Sequence, residues 1–213
     1  MKISELIKLP KKHKPERGVK SAVAANFCID GTLFIERCDL VAKSESMDNR
    51  YFRAKYIVDF LMSIECSLKC FVISLSKDNE TPTQAYKKAR NCSHSLDKLY
   101  AEVELRAKGR FRLDPKPQQI FDDLKVLGVG SRYALEVWML RVGSQNLPSV
   151  DRGLVSRTID DEQWANEVRK VAVQLNNAAN RCRMRFLAEH GTLTGKRVNA
   201  YAQALATFLS QVK

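Results

Sequence analysis

Apolar residues recur along this chain at intervals of three, four and seven, the spacing that gathers side chains on one face of an α-helix. From Val19 to about Ser44 the positions Val23, Phe27, Phe34, Cys38 and Val41 keep this rhythm. Gly31 interrupts the run. A glycine there weakens a helix by ~1 kcal/mol against Ala, and a tight contact with another helix would explain it. The clearest stripe lies between about Asn49 and Ser76. Ile57, Ile64 and Phe71 form one seven-residue series, and Leu61, Leu68 and Leu75 form another. Together they predict a core-facing helix of five turns. Glu65 stands at the margin of that stripe, with Lys69 one turn later in the favourable acid-before-base order. Two readings of the pair stay open. It is either an exposed pair worth ~0.3–0.5 kcal/mol, or Glu65 is partly buried and orients a neighbouring helix.

Residues 77–92 read as a polar loop containing Pro82, with a short helix around Ala85–Ala89. A third long pattern starts near Ser93 and carries Leu96, Leu99, Tyr100 and Val103, with Ser93 or Ser95 as N-cap and Asp97 in the first turn. Pro115 and Pro117 open a further helix through Ile120, Phe121, Leu124 and Leu127, and Gly128 is its expected stop. An apolar run from Arg132-Tyr133 to Leu140 fits helix or extended chain. Gly143, Ser144, Pro148, Ser149 and Gly153 mark a linker. Beyond it, Trp164, Val168, Val171, Leu175, Ala178, Cys182 and Phe186 predict a long helix, and Val198, Ala202, Leu205, Leu209 and Val212 a last one. With Gly191 and Gly195 between them, the two are expected to form an antiparallel hairpin. No strand pattern or internal repeat is visible. The expected class is all-α, divided into a basic flexible arm (1–18), a helical bundle (19–142), a linker (143–158) and a C-terminal helical hairpin (159–213).

Composition narrows the partners. A chain of 213 residues with 45% apolar and 28% charged residues is long enough for one good core and has the balance of a globular protein. No apolar run approaches the ~20 residues of a membrane span, and the first residues lack the apolar stretch of a secretory signal. A cytoplasmic location without membrane contact is expected. The cysteines Cys28, Cys38, Cys66, Cys70, Cys92 and Cys182 make no Cys-x-x-Cys pair and no zinc spacing, so they read as free thiols. Cys66 and Cys70 are one helical turn apart, so two thiols can share a face. No metal or other cofactor is expected. The 36 Lys and Arg against 24 Asp and Glu leave a net charge of +12, which favours anionic partners, above all nucleic acid. The predicted phosphate-contacting set is Lys11, Lys12 and Lys14 in the arm, Arg106, Lys108, Arg110 and Arg112 after the third pattern, and Arg181, Arg183 and Arg185 in the late helix. The same residues can equally form solvated faces.

Three segments then matter in order: Ser63-Ile64-Glu65-Cys66-Ser67-Leu68-Lys69, Ser93-His94-Ser95-Leu96, and Arg132-Tyr133. This series resembles the HEPN-like family of small α-helical proteins over roughly Val23 to Leu140, departing from it at Ser95, where an Asp is common. The resemblance implies an antiparallel HEPN-like bundle in which Glu65, Lys69, His94, Arg132 and Tyr133 are structural, with Arg132 paired to an acid such as Glu65. It also implies work on or around RNA, homodimerisation, and a setting in prokaryotic defence or toxin–antitoxin-like systems. Catalytic members cleave RNA without metal, using an Arg, often Arg-Asn, followed after four to six residues by a His. Arg90-Asn91-Cys92-Ser93-His94 has the opening but only three intervening residues. Arg185 and His190 have four but no Asn, and lie outside the resembling core. The resulting expectation is a non-catalytic RNA or nucleic-acid binding or scaffold protein. The alternatives are a metal-independent ribonuclease using Arg90/His94 or Arg185/His190, and a protein-interaction module, either a homodimer or the partner of a nucleotidyltransferase. No Gly-rich phosphate loop, paired carboxylates or Ser/His/Asp set competes, with His13, His94 and His190 the only histidines.

Overall fold

The computed structural model of the chain describes residues 15–43, 50–108, 110–129, 154–188 and 196–212. Among these residues all regular structure is helical: α1 (Pro15–Val41), α2 (Arg50–Ser74), α3 (Pro82–Asn91), α4 (Leu96–Ala107), α5 (Pro115–Leu127), a single turn α6 (Leu154–Arg157), α7 (Glu162–Ala188) and α8 (Lys196–Gln211). The all-α class follows.

The centre is α2. Its predicted stripe of Ile57, Leu61, Ile64, Leu68 and Phe71 is buried, and so are Tyr56, Phe60, Cys66, Cys70, Val72 and Ile73 at other angles around the axis. A helix apolar on every side must be covered on every side. Here α1 and α7 supply the largest faces, and α3 and α4 close the remainder. Helix α5 packs on α7, while α8 lies on α1 and α3. One continuous core results, running from Val23 of α1 through Ile64 of α2 to Val168 and Leu175 of α7.

Gly31 is where α1, α2 and α7 meet most closely. A Cβ there would stand 2.8 Å from Asn176 Oδ1 and 3.3 Å from the Ser63 carbonyl. The close approach expected at this glycine is therefore present. The amide of Asn176, buried in the same place, donates to Thr32 Oγ1 at 2.8 Å. Its oxygen has Ser67 Oγ at 3.3 Å and the Cys28 thiol at 3.6 Å. A buried amide with its donor and acceptor both partnered costs little and fixes the register of three helices.

Several elements differ from the expectations. Residues 15–18, expected in the arm, belong to α1, because the fixed φ of Pro15 suits the first helical turn, where no N–H is needed. Helix α3 is longer than Ala85–Ala89, since Thr81 and Gln84 form a capping box that starts it at Pro82. Ser95, not Ser93, caps α4, accepting from Lys98 N at 3.3 Å. Ser93 adopts φ 49° just beyond the end of α3, the left-handed position that commonly terminates a helix. The later part of the expected linker belongs to the core: Leu154, Val155 and Thr158 are buried, as is Ile159 just after it. Asp123 ties this turn down, accepting from Arg157 at 3.2 Å and from the Trp164 indole at 3.3 Å. The last two helices, expected as an antiparallel hairpin, take separate main partners. Helix α7 enters the α1–α2 core, and α8 seats Phe208 edge-on to Tyr86 of α3, ring centroids 5.5 Å apart.

Candidate nucleic-acid interface

Two groups of chemically capable side chains flank α2. The first is built on Glu65, whose side chain is 2% exposed. Lys69, one turn on, brings Nζ to 2.5 Å from Oε1. His94, in the turn between α3 and α4, places Nδ1 2.9 Å from Oε2. The pair left open in the sequence is thus a buried carboxylate that ties α2 to the entry of α4. Lys69 Nζ also lies 5.8 Å from the centroid of the Phe27 ring. With Nδ1–H donated to the carboxylate, the imidazole is held in one tautomer, and its other nitrogen, Nε2, is the one able to exchange a proton. The His94 side chain is half exposed. Arg90, near the end of α3, folds back along its own helix, its guanidinium 5.8 Å from the Tyr86 ring centroid and Nη1 3.4 Å from the Tyr86 hydroxyl.

The second group is a cleft of about 500 Å3 between the C-terminal turns of α2, the segment joining α4 to α5, and the C-terminal half of α7. Phe71, Leu75, Phe111 and Ala178 form its apolar wall, and Arg110, Arg181 and Arg185 stand around it with no carboxylate among the lining residues. Two basic segments far apart in sequence meet here because α7 crosses α2 beside the end of α4. Phe111 is held edge-on by Phe71 and by Tyr100, at centroid distances of 5.1 and 5.5 Å. Phe71 and Ser74 project from the side of α2 opposite Glu65 and Lys69, as the helical repeat requires. The arginine cleft and the His94 site therefore lie on different sides of the central helix.

The other predicted cations divide. Arg106 leaves the phosphate-contacting set. Its side chain is 5% exposed, it makes a two-pronged bond to Glu80 at 2.8 and 2.9 Å, and Glu102 takes its Nε at 2.6 Å. Burial alone would lower the guanidinium's pKa, but these two carboxylates outweigh it and raise it. Burial alone would likewise raise Glu80, and the Arg106 guanidinium outweighs this and holds the carboxyl below its usual range. Arg183 bonds Asn180 Oδ1 at 2.9 and 3.2 Å. Lys108 and Arg112 are exposed, Lys108 as the left-handed cap of α4. Lys11, Lys12, Lys14, Arg132, Tyr133 and His190 lie outside the described residues, so the expected Arg132–Glu65 pair and the Arg185/His190 pair do too.

Sequence reasoning missed the apolar wall of the cleft. The one local signal was Phe111, set between Arg110 and Arg112. It also missed that Cys28 of α1 comes to Cys70 across the α1–α2 interface. Interaction between the two thiols lowers Cys28, and the same interaction together with burial pushes Cys70 up. Cys28, Cys38, Cys66, Cys70 and Cys92 are free thiols. No group of His, Cys, Asp and Glu among the described residues could hold a metal ion, and no described helix is long and apolar enough to cross a membrane. No family model matches the chain, nor does any curated protein or solved structure.

Proposed function

We propose that this protein binds RNA without cleaving it, as a HEPN-like helical bundle, and that the cleft between α2, α4 and α7 is its contact surface. The observation that carries the reading is the meeting of Arg110, Arg181 and Arg185 around one cleft that no carboxylate lines. Guanidinium groups bond phosphate oxygens in pairs and keep their charge at any physiological pH. A net charge of +12 adds long-range attraction to the same ligand. The preference for RNA over other polyanions rests on the HEPN-like resemblance. The test is fluorescence anisotropy with labelled RNA at low salt, comparing wild type with R110A/R181A/R185A. The triple variant is expected to lose at least about tenfold in affinity while keeping its helical circular dichroism. Unchanged binding by the folded variant would move the contact surface elsewhere.

A second reading has one observation in its favour: His94, oriented by a buried carboxylate and half exposed, has the arrangement of a general base. As a metal-independent ribonuclease the protein would cleave RNA in EDTA, and His94→Gln would abolish cleavage without loss of fold. RNA that stays intact after prolonged incubation with wild type removes this reading.

A further inference from the structure

We infer that the cleft accepts one unpaired nucleobase against Phe111 and Phe71 while Arg110, Arg181 and Arg185 take the flanking phosphates, so that single-stranded RNA is preferred over duplex; this rests on the RNA-binding reading above. The cleft has two kinds of wall. A purely electrostatic phosphate site needs cations only, yet here the arginines surround an apolar surface of Phe71, Leu75, Phe111 and Ala178. A volume of about 500 Å3 is that of a pocket for a small organic molecule and has room for a base with its sugar. Phe111 is only partly buried. Its orientation is fixed by edge contacts to Phe71 and Tyr100, so ordering it on binding costs little. A duplex keeps the faces of its bases inside its own stack and offers the cleft only phosphates. A single strand offers phosphates and an exposed π-face, which pairs with an aromatic wall whatever the base. A free nucleotide carries the same two groups, and strand and nucleotide are separated by the test.

The experiment titrates the full chain with four probes at one salt concentration: a short single-stranded RNA, the same sequence as blunt duplex, inorganic polyphosphate and adenosine monophosphate. Two variants accompany wild type. Phe111→Leu keeps an apolar side chain but removes the aromatic face. Ala178→Leu narrows the cleft while keeping Phe111 and all three arginines in the chain. The single strand is expected to bind about tenfold tighter than the duplex. Each variant is expected to weaken single-strand binding about five- to tenfold and leave duplex and polyphosphate unchanged. The mononucleotide is expected to compete weakly. If Phe111→Leu fails to fold, Ala178→Leu decides. Equal affinity for strand and duplex, or variants that bind the strand like wild type, would overturn the inference and leave the RNA-binding reading standing. A mononucleotide as tight as the strand would overturn the strand preference. Failure to bind any of the polyanions would overturn both.

Discussion

Glu65 shares one carboxylate between an ammonium on its own helix and an imidazole from a turn 29 residues away, while almost none of its surface reaches water. Its removal leaves Lys69, whose side chain is largely buried, without that acceptor, whereas removal of His94 takes away only a group already in contact with solvent. Glu65→Ala is therefore expected to cost about 2–3 kcal/mol and His94→Ala about 1 kcal/mol, measured by urea denaturation. The reverse order would mean that the carboxylate is not what joins α2 to α4. Glu80 allows a test by pH. Its carboxyl titrates below the ordinary glutamate value because Arg106 outweighs the effect of burial. A depressed folded pKa means that the stabilisation is complete above the unfolded value of about 4.3 and is lost as pH falls through the folded one. Glu80→Gln should be less stable than wild type at neutral pH, and the gap should close below about pH 4. A gap that stays constant to lower pH would show that ionisation of Glu80 is not its source.

At the scale of elements, Gly31 sets two effects against each other. Ala at an ordinary helical position would gain ~1 kcal/mol in propensity. At Gly31 the added methyl would meet Asn176 Oδ1 at 2.8 Å and the Ser63 carbonyl at 3.3 Å, and neither moves without disturbing the hydrogen bonds that join α1, α2 and α7. Forcing atoms into a packed contact costs ~1–3 kcal/mol, so Gly31→Ala is expected to lower stability by about 1 kcal/mol. A rise in Tm would show that α7 can withdraw. The amphipathic stripe of α2 was legible because Ile57, Leu61, Ile64, Leu68 and Phe71 keep helical spacing. The burial of its other sides was not, because Ser63, Ser67, Cys66 and Cys70 are small and only mildly polar, and read as a neutral face until α1 and α7 are seen against them.

For the whole molecule, charge acts through its distribution. Each phosphate neutralised on a single strand contributes ~0.7 to the slope of log affinity against log salt. Removal of Arg110, Arg181 and Arg185 together should therefore reduce that slope by about 2, whereas Arg106→Ala should chiefly lower thermal stability, since its guanidinium is occupied by Glu80 and Glu102. A slope that falls equally in Arg106→Ala would show that position is a phosphate contact after all. Charge counting alone ranked Arg106 with its neighbours. What separates them is that the last turn of α4 carries Arg106 towards the end of α2 and the start of α3, where Glu80 waits, while Arg110 emerges beside α7.

By itself the sequence determined all the helices but the single turn α6. Their apolar spacing, the proline at the start of α5, the glycine at its end and the serine at the head of α4 are local properties, set by backbone sterics and by side chains within a turn or two of each other. It also determined the excess of positive charge. Only the tertiary structure decided which helices touch, since an apolar stripe specifies that it will be covered and not by what. The partnership of Glu65 with His94, the occupation of Arg106 by Glu80 and the convergence of Arg110 with Arg181 and Arg185 all join residues distant in the chain. Their distances depend on how α1, α2 and α7 cross, and that crossing is set by close packing around Gly31 and Asn176, a property of three helices together that no single stretch of sequence contains.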